Sequence, residues 1–132
     1  MPKLPAMQDA PPVVGVIDPD PVARSGLRTL LHGLGVDVST FDSAESYLLA
    51  ANGRQVACLI VDLLLPGMSG LELLRRLRSA GNDVPVILLA DESDVPTAVA
   101  AMREGATDFI EKPYVDVAVL KQVQKLLHNP PA

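Results

Sequence analysis

The chain has 132 residues, 48% of them hydrophobic and 20% charged, which fits one folded domain and excludes a disordered or fibrous chain. Sixteen acidic against eleven basic residues give a formal charge of −5, and aromatics are 3% with no Trp, so neither a cationic face nor a set of stacking rings offers itself to nucleic acid. One cysteine excludes an internal disulfide and a cysteine-rich zinc site, and no apolar run approaches the roughly 18 residues of a membrane-spanning helix.

Residues 1–12 carry four prolines and no long apolar block, which reads as a flexible leader rather than a secretory signal; a soluble, cytoplasmic protein is the default expectation. Val13 to Ile17 is an apolar, β-branched strand. Pro21 to Leu34 has helical spacing, with Val22, Leu27, Leu30, Leu31 and Leu34 near one face, Asp20 as N-cap and Pro21 at the first position. Val36 to Phe41 is a second, more polar strand. The helix Ser43 to Ala51 follows Asp42, and Asp42 with Glu45 has capping-box spacing. Val56 to Val61 and Val84 to Leu89 are apolar strands. Ser69 to Ala80 is a helix with Leu71, Leu74 and Leu77 that stops at Gly81, and Pro96 to Glu104 is another, with Val99 and Met102, that stops at Gly105. Thr107 to Ile110 is a polar strand, and Val115 to His128 repeats Val119, Val123, Leu126 and Leu127. Residues 129–132 are a tail or the start of a linker.

Strand and helix alternate five times, which argues for a parallel sheet with helices on both faces and right-handed crossovers. The three most apolar strands suit central positions covered on both sides, and the two polar ones suit edges. In such folds ligands bind beyond the carboxyl ends of the strands, near a reversal of strand order. That rule directs attention to Asp18-Pro19-Asp20, Asp62, Asp91-Glu92 and Glu111-Lys112-Pro113. Carboxylates with one lysine suit a hard cation and a phosphoryl group. Asp20 and Asp42 are better explained as helix caps. Asp62 ends a strongly apolar strand with no helix start behind it, and an ionisable residue there is costly unless it is paired or functional. Lys112 before Pro113 marks a specified turn, with a cis bond as one form of it.

Asp62-Leu-Leu-Leu-Pro66-Gly67-Met68-Ser69-Gly70 resembles the phosphoacceptor segment of the receiver domains of bacterial two-component response regulators. Asp108-Phe109-Ile110-Glu111-Lys112-Pro113-Tyr114 resembles the end of their fifth strand. Phe41-Asp42-Ser43-Ala44-Glu45 and the stretch from Asp94 to Ala106 are similar to the nitrogen-fixation and LuxR-type subgroup. The resemblance covers Val13 to about Leu127 and implies a (βα)5 flavodoxin-like receiver over residues 13–128. It implies phosphoryl transfer to Asp62 from a sensor histidine kinase or phosphotransfer protein, and signalling in place of metabolic catalysis. Asp18 and Asp62, with Asp20 as a substitute, would hold magnesium; Lys112 would contact the phosphoryl oxygens, and Phe109 would reorient on activation. A homodimer through the fourth helix, fifth strand and fifth helix is the expected assembly, with Ala98, Ala100 and Ala101 making the helix small-faced. A transcription-regulating output is expected of the subgroup.

Two positions depart from the family's pattern. Pro19 stands where a second acid usually contacts the metal, and Leu89 is read at the position of the Thr or Ser that ends the fourth strand. Two functions therefore stand: a receiver with weakened or absent magnesium-dependent phosphorylation, and a pseudo-receiver that acts as an interaction module. An α/β enzyme is disfavoured, since no glycine-rich phosphate loop or nucleophile elbow occurs. Cys58 reads as a buried hydrophobe, His32 and His128 as helix-end cations, and Arg75, Arg76 and Arg78 as a solvated helix face.

Overall fold

A computed structural model of the chain describes residues 11–50 and 55–128. The expected leader, through residue 10, and the expected tail lie outside the described residues. In chain order the elements are β1 (Val13–Ile17), α1 (Pro21–His32), β2 (Asp37–Phe41), α2 (Ala44–Ala50), β3 (Cys58–Asp62), α3 (Gly70–Ser79), β4 (Val86–Ala90), a 3-10 turn (Glu92–Asp94), α4 (Val95–Arg103), β5 (Asp108–Glu111) and α5 (Asp116–His128). The five strands form one parallel sheet in the order β2-β1-β3-β4-β5. The polar strands β2 and β5 are its edges, as their composition predicts.

The sheet separates two apolar layers, because successive strand side chains point to opposite faces. On one face Leu59, Val61 and Leu88 meet Ala44 and Tyr47 of α2, Leu73, Leu74 and Leu77 of α3, and Ala98 and Ala101 of α4. On the other, Val14, Val16, Ile60 and Ile87 meet Leu27 and Leu31 of α1 and Val119 and Val123 of α5. Each fully buried Leu, Ile or Val contributes about 1.5–3 kcal/mol. Val22 departs from the expected apolar face: at the second helical position of α1 it is 77% exposed, and the buried residues of the helix are Leu27 and Leu31. Two alanines of α4 also depart. Ala98 and Ala101 are fully buried and face the core, whereas Ala100 is exposed as expected, beside Val99 and Met102.

Capping follows the chain's local chemistry with one exchange. Asp20 caps α1 by accepting from the Val22 N–H at 3.0 Å, as expected. At α2 the cap is Ser43, whose Oγ accepts from Ser46 N at 3.0 Å, while Asp42 accepts from the Ser46 hydroxyl. The capping box is found at α3 instead, where Ser69 and Glu72 satisfy each other's backbone N–H. Both β3 and β4 end one residue later than their apolar runs, at Asp62 and Ala90.

Candidate functional site

Strand order reverses between β1 and β3, and the carboxyl ends of these two neighbours carry Asp18 and Asp62. Asp18 is fully buried. Its Oδ1 accepts from the Asp20 N–H at 2.9 Å, and its main-chain oxygen accepts from Arg24 Nη1 at 2.7 Å. Its Oδ2 has no hydrogen-bond partner. Asp62 is 8% exposed; its Oδ1 accepts from the Leu64 N–H at 3.0 Å, and its Oδ2 accepts from Lys112 Nζ at 2.7 Å. The same ammonium lies 3.6 Å from Asp18 Oδ2. Lys112 follows β5 and reaches back over the sheet, and the Lys112–Pro113 bond is cis.

Burial pushes the Asp18 carboxyl up, and the Asp20 N–H and the Lys112 charge only partly offset this. For Lys112 burial works downward, yet the hydrogen bond to Asp62 and the charges of Asp62, Asp18 and Asp91 outweigh it and raise the ammonium above its ordinary value. The lysine is thus charged at neutral pH. A cavity of about 480 Å³ opens beside it, lined by Asp20, Asp91, Lys112 and Tyr114 among others.

Among the described residues no three His, Cys, Asp or Glu side chains gather in metal-binding geometry. Two carboxylates do meet at Lys112, and one of their oxygens is an orphan. A buried polar atom left unpartnered costs about 1–3 kcal/mol, and a cation would remove that cost. Magnesium is commonly held by one or two carboxylates with water completing its shell. Asp18 and Asp62 therefore fit such an ion with a minimal donor set. Pro19 adds nothing to it, and Asp20 is engaged in capping α1 at the cavity rim.

Strand parity separates Leu89 from Phe109. Leu89 packs in the layer of α1 and α5, whereas Ala90 and the half-buried Phe109 share the other layer. Leu89, read as standing at the position of the family's Thr or Ser, does not face Phe109. Ala90, which the apolar run did not single out, does. Neither residue carries a hydroxyl. Close behind Asp62 lies Gly70, where a Cβ would stand 2.7 Å from the Asp62 main-chain oxygen and 2.9 Å from Leu63 Cα. The start of α3 is thereby seated directly on the end of β3.

A sequence profile of the response regulator receiver domain matches residues 14–124. This chain belongs to that family. The receiver is 37% identical over 114 residues to the transcriptional regulatory protein FixJ of Bradyrhizobium diazoefficiens, an alignment covering 86% of this chain and 56% of FixJ. Full-length FixJ from B. japonicum superposes with a TM-score of 0.85 at 34% identity, over 92% of this chain and 61% of that one. A response regulator receiver protein from Pseudoalteromonas atlantica superposes with a TM-score of 0.83 at 36% identity, over 91% and 100% of the two chains. The receiver thus spans little more than half the length of FixJ.

Several surface residues differ from their expected roles. Arg75 pairs with Glu104 through two bonds, Nε to Oε1 at 2.7 Å and Nη2 to Oε2 at 3.0 Å. Arg78 donates to the main-chain oxygens of Asn82, Val84 and Gly105. These two arginines clamp α3 to the turn after α4, where hydrogen bonds across 27 and 29 residues of sequence were not legible from charge spacing. Arg76 matches the expected solvated position. His32 and His128 fall in the last turns of their helices, as expected. Cys58 is fully buried, and burial pushes its thiol up to about 12.

Proposed function

We propose that this receiver takes a phosphoryl group on Asp62, and that it does so weakly. The observation supporting the acceptor role is the 2.7 Å contact between Lys112 Nζ and Asp62 Oδ2 beside the buried Asp18. The donor is a phosphohistidine on a sensor histidine kinase or a phosphotransfer protein, which gives the receiver a cytoplasmic setting. An Asp62 oxygen attacks phosphorus in line as the P–N bond breaks. Its electron pair returns to the imidazole, which takes up a proton, and Asp62 becomes an acyl phosphate. Lys112 passes from the carboxylate to the phosphoryl oxygens and offsets their charge, while the Leu64 N–H keeps the acceptor carboxylate oriented. Asp18 and Asp62 would hold magnesium, with Asp20 at the rim, and the ion supplies further neutralisation of the phosphoryl charge.

The weakness follows from two features, residue 19 and the end of β4. Pro19 has no ligand atom. At the end of β4 neither Leu89 nor Ala90 can donate to a phosphoryl oxygen, a bond to a charged group worth roughly 1.5–3 kcal/mol. Phe109, the candidate switch, then has no hydroxyl neighbour to couple it to the phosphoryl group. These same two features favour a second reading, a pseudo-receiver that keeps the fold as a phosphorylation-independent binding module. In either case the outward surface of α4, with Val99 49% exposed and Met102 beside it, together with β5 and α5, is the proposed homodimer face. FixJ is named a transcriptional regulatory protein. We assign this receiver to transcription control through a partner segment, without nucleic-acid contact of its own.

Intact-mass spectrometry after incubation with acetyl phosphate, with and without magnesium, tests the acceptor. A magnesium-dependent gain of one phosphoryl group that Asp62→Asn abolishes is the expected result. No gain at any magnesium level, with a known receiver reacting in parallel, would establish the pseudo-receiver instead.

A further inference from the structure

We infer that Glu45 is a positioning residue for the acceptor: its carboxylate pins the loop that follows β3 and so fixes the orientation of Asp62. The inference rests on reading Asp62 as the phosphoacceptor. Glu45 lies in the first turn of α2, and its Oε2 accepts from the Met68 N–H at 2.9 Å, across 23 residues of sequence. That bond holds the Glu45 carboxyl below its ordinary range, so it is ionised at neutral pH. The side-chain cap of α2 is Ser43, whose Oγ accepts from the Ser46 N–H.

The pinned loop, residues 63–69, is the one that orients the acceptor. At its near end Leu64 N–H holds Asp62 Oδ1 at 3.0 Å, and Leu63 N–H is bound to the Leu89 oxygen at 2.9 Å. At its far end Gly70 N–H closes the loop onto the Leu63 oxygen at 3.0 Å. Beneath it, Leu63 and Leu65 are buried in the layer that holds Ala44 and Tyr47 of α2. One helix therefore grips the loop twice, by apolar contact below and by a carboxylate above. Gly67 serves that grip in two ways. Its φ of +71° turns the loop, and a Cβ there would stand 2.5 Å from Glu45 Oε2. The two Asp62 oxygens are held by Leu64 and Lys112, so a shift of the loop turns the attacking oxygen away from the in-line direction.

The test compares wild type, Glu45→Ala and Glu45→Gln by NMR in the unphosphorylated protein and by acetyl phosphate kinetics. With the fold intact by circular dichroism, Glu45→Ala is expected to move the Leu64 amide resonance and the chemical shift of the Asp62 carboxyl carbon. It is also expected to slow phosphorylation about tenfold, since small misplacements of a reacting group carry costs of that order, while the magnesium concentration for half-maximal rate stays the same. Glu45→Gln keeps an acceptor oxygen and is expected to recover most of the rate. If Glu45→Ala does not fold, Glu45→Asp, with its carboxylate withdrawn by one methylene, carries the same readouts. Leu64 and Asp62 signals at their wild-type values in a variant lacking the Met68 bond would overturn the inference. Wild-type protein that takes no phosphoryl group, with both signals still moved by the substitution, would sink the acceptor reading and leave the positioning role standing.

Discussion

Asp62 and Lys112 meet at 2.7 Å, and Asp18 brings to them a buried oxygen that accepts no hydrogen bond. Each of the three was legible: Asp18 and Asp62 because an ionisable residue ending an apolar strand stands out against its neighbours, and Lys112 because it closes the last strand at a Lys-Pro bond. Glu45 was not, since its partner is a backbone N–H 23 residues away and no side-chain pattern announces it. Pro19 is the residue whose replacement is most informative. Pro19→Asp would add a carboxylate next to the orphan oxygen, and we expect magnesium affinity to rise about tenfold or more, equivalent to roughly 1.4 kcal/mol. Calorimetric titration of the two proteins measures it. An unchanged dissociation constant would show that the backbone at 19 directs side chains away from the site.

Elements were easier to read than their ends. Alternation, capping residues and glycines located all five strands and five helices, but the apolar runs stopped short of Asp62 and Ala90, which the sheet's hydrogen bonds include. Charge spacing likewise missed the clamp between α3 and the turn after α4. Arg78 lends three main-chain oxygens a donor, one of them partly buried, and the side chain packs against Gly105. Arg78→Ala is expected to lower unfolding free energy by about 1–3 kcal/mol, as hydrogen bonds to a charged group are lost. Urea denaturation would show this as a lower midpoint at unchanged slope. A midpoint equal to wild type would mean that water replaces the guanidinium without cost.

At the scale of the molecule, the sheet is a partition between two apolar layers, and Cys58 sits in the layer of α1 and α5. Burial lifts its thiol from 9.0 to about 12. The folded form thus disfavours the thiolate, so stability is unaffected below pH 9 and falls as pH rises above it, where the unfolded thiol ionises. The native protein is expected to resist a disulfide reagent at pH 8, and urea-unfolded protein to react with one equivalent. Prompt reaction without denaturant would mean that this layer opens locally. The layered plan itself followed from the order of segments. Which face each helix turns outward did not, and α4 hides Ala98 and Ala101 and displays Val99, Ala100 and Met102.

The seat of Gly70 against the end of β3 has a mechanical consequence. With no side chain between them, the helix start and the Asp62 main chain have no compressible spacer. The two therefore bear directly on each other, so that a shift of either one has to be taken up by the other. The Asp62 end of the sheet and the clamped far end of α3 are in this sense a single lever, and Arg75 and Arg78 sit on its distal arm.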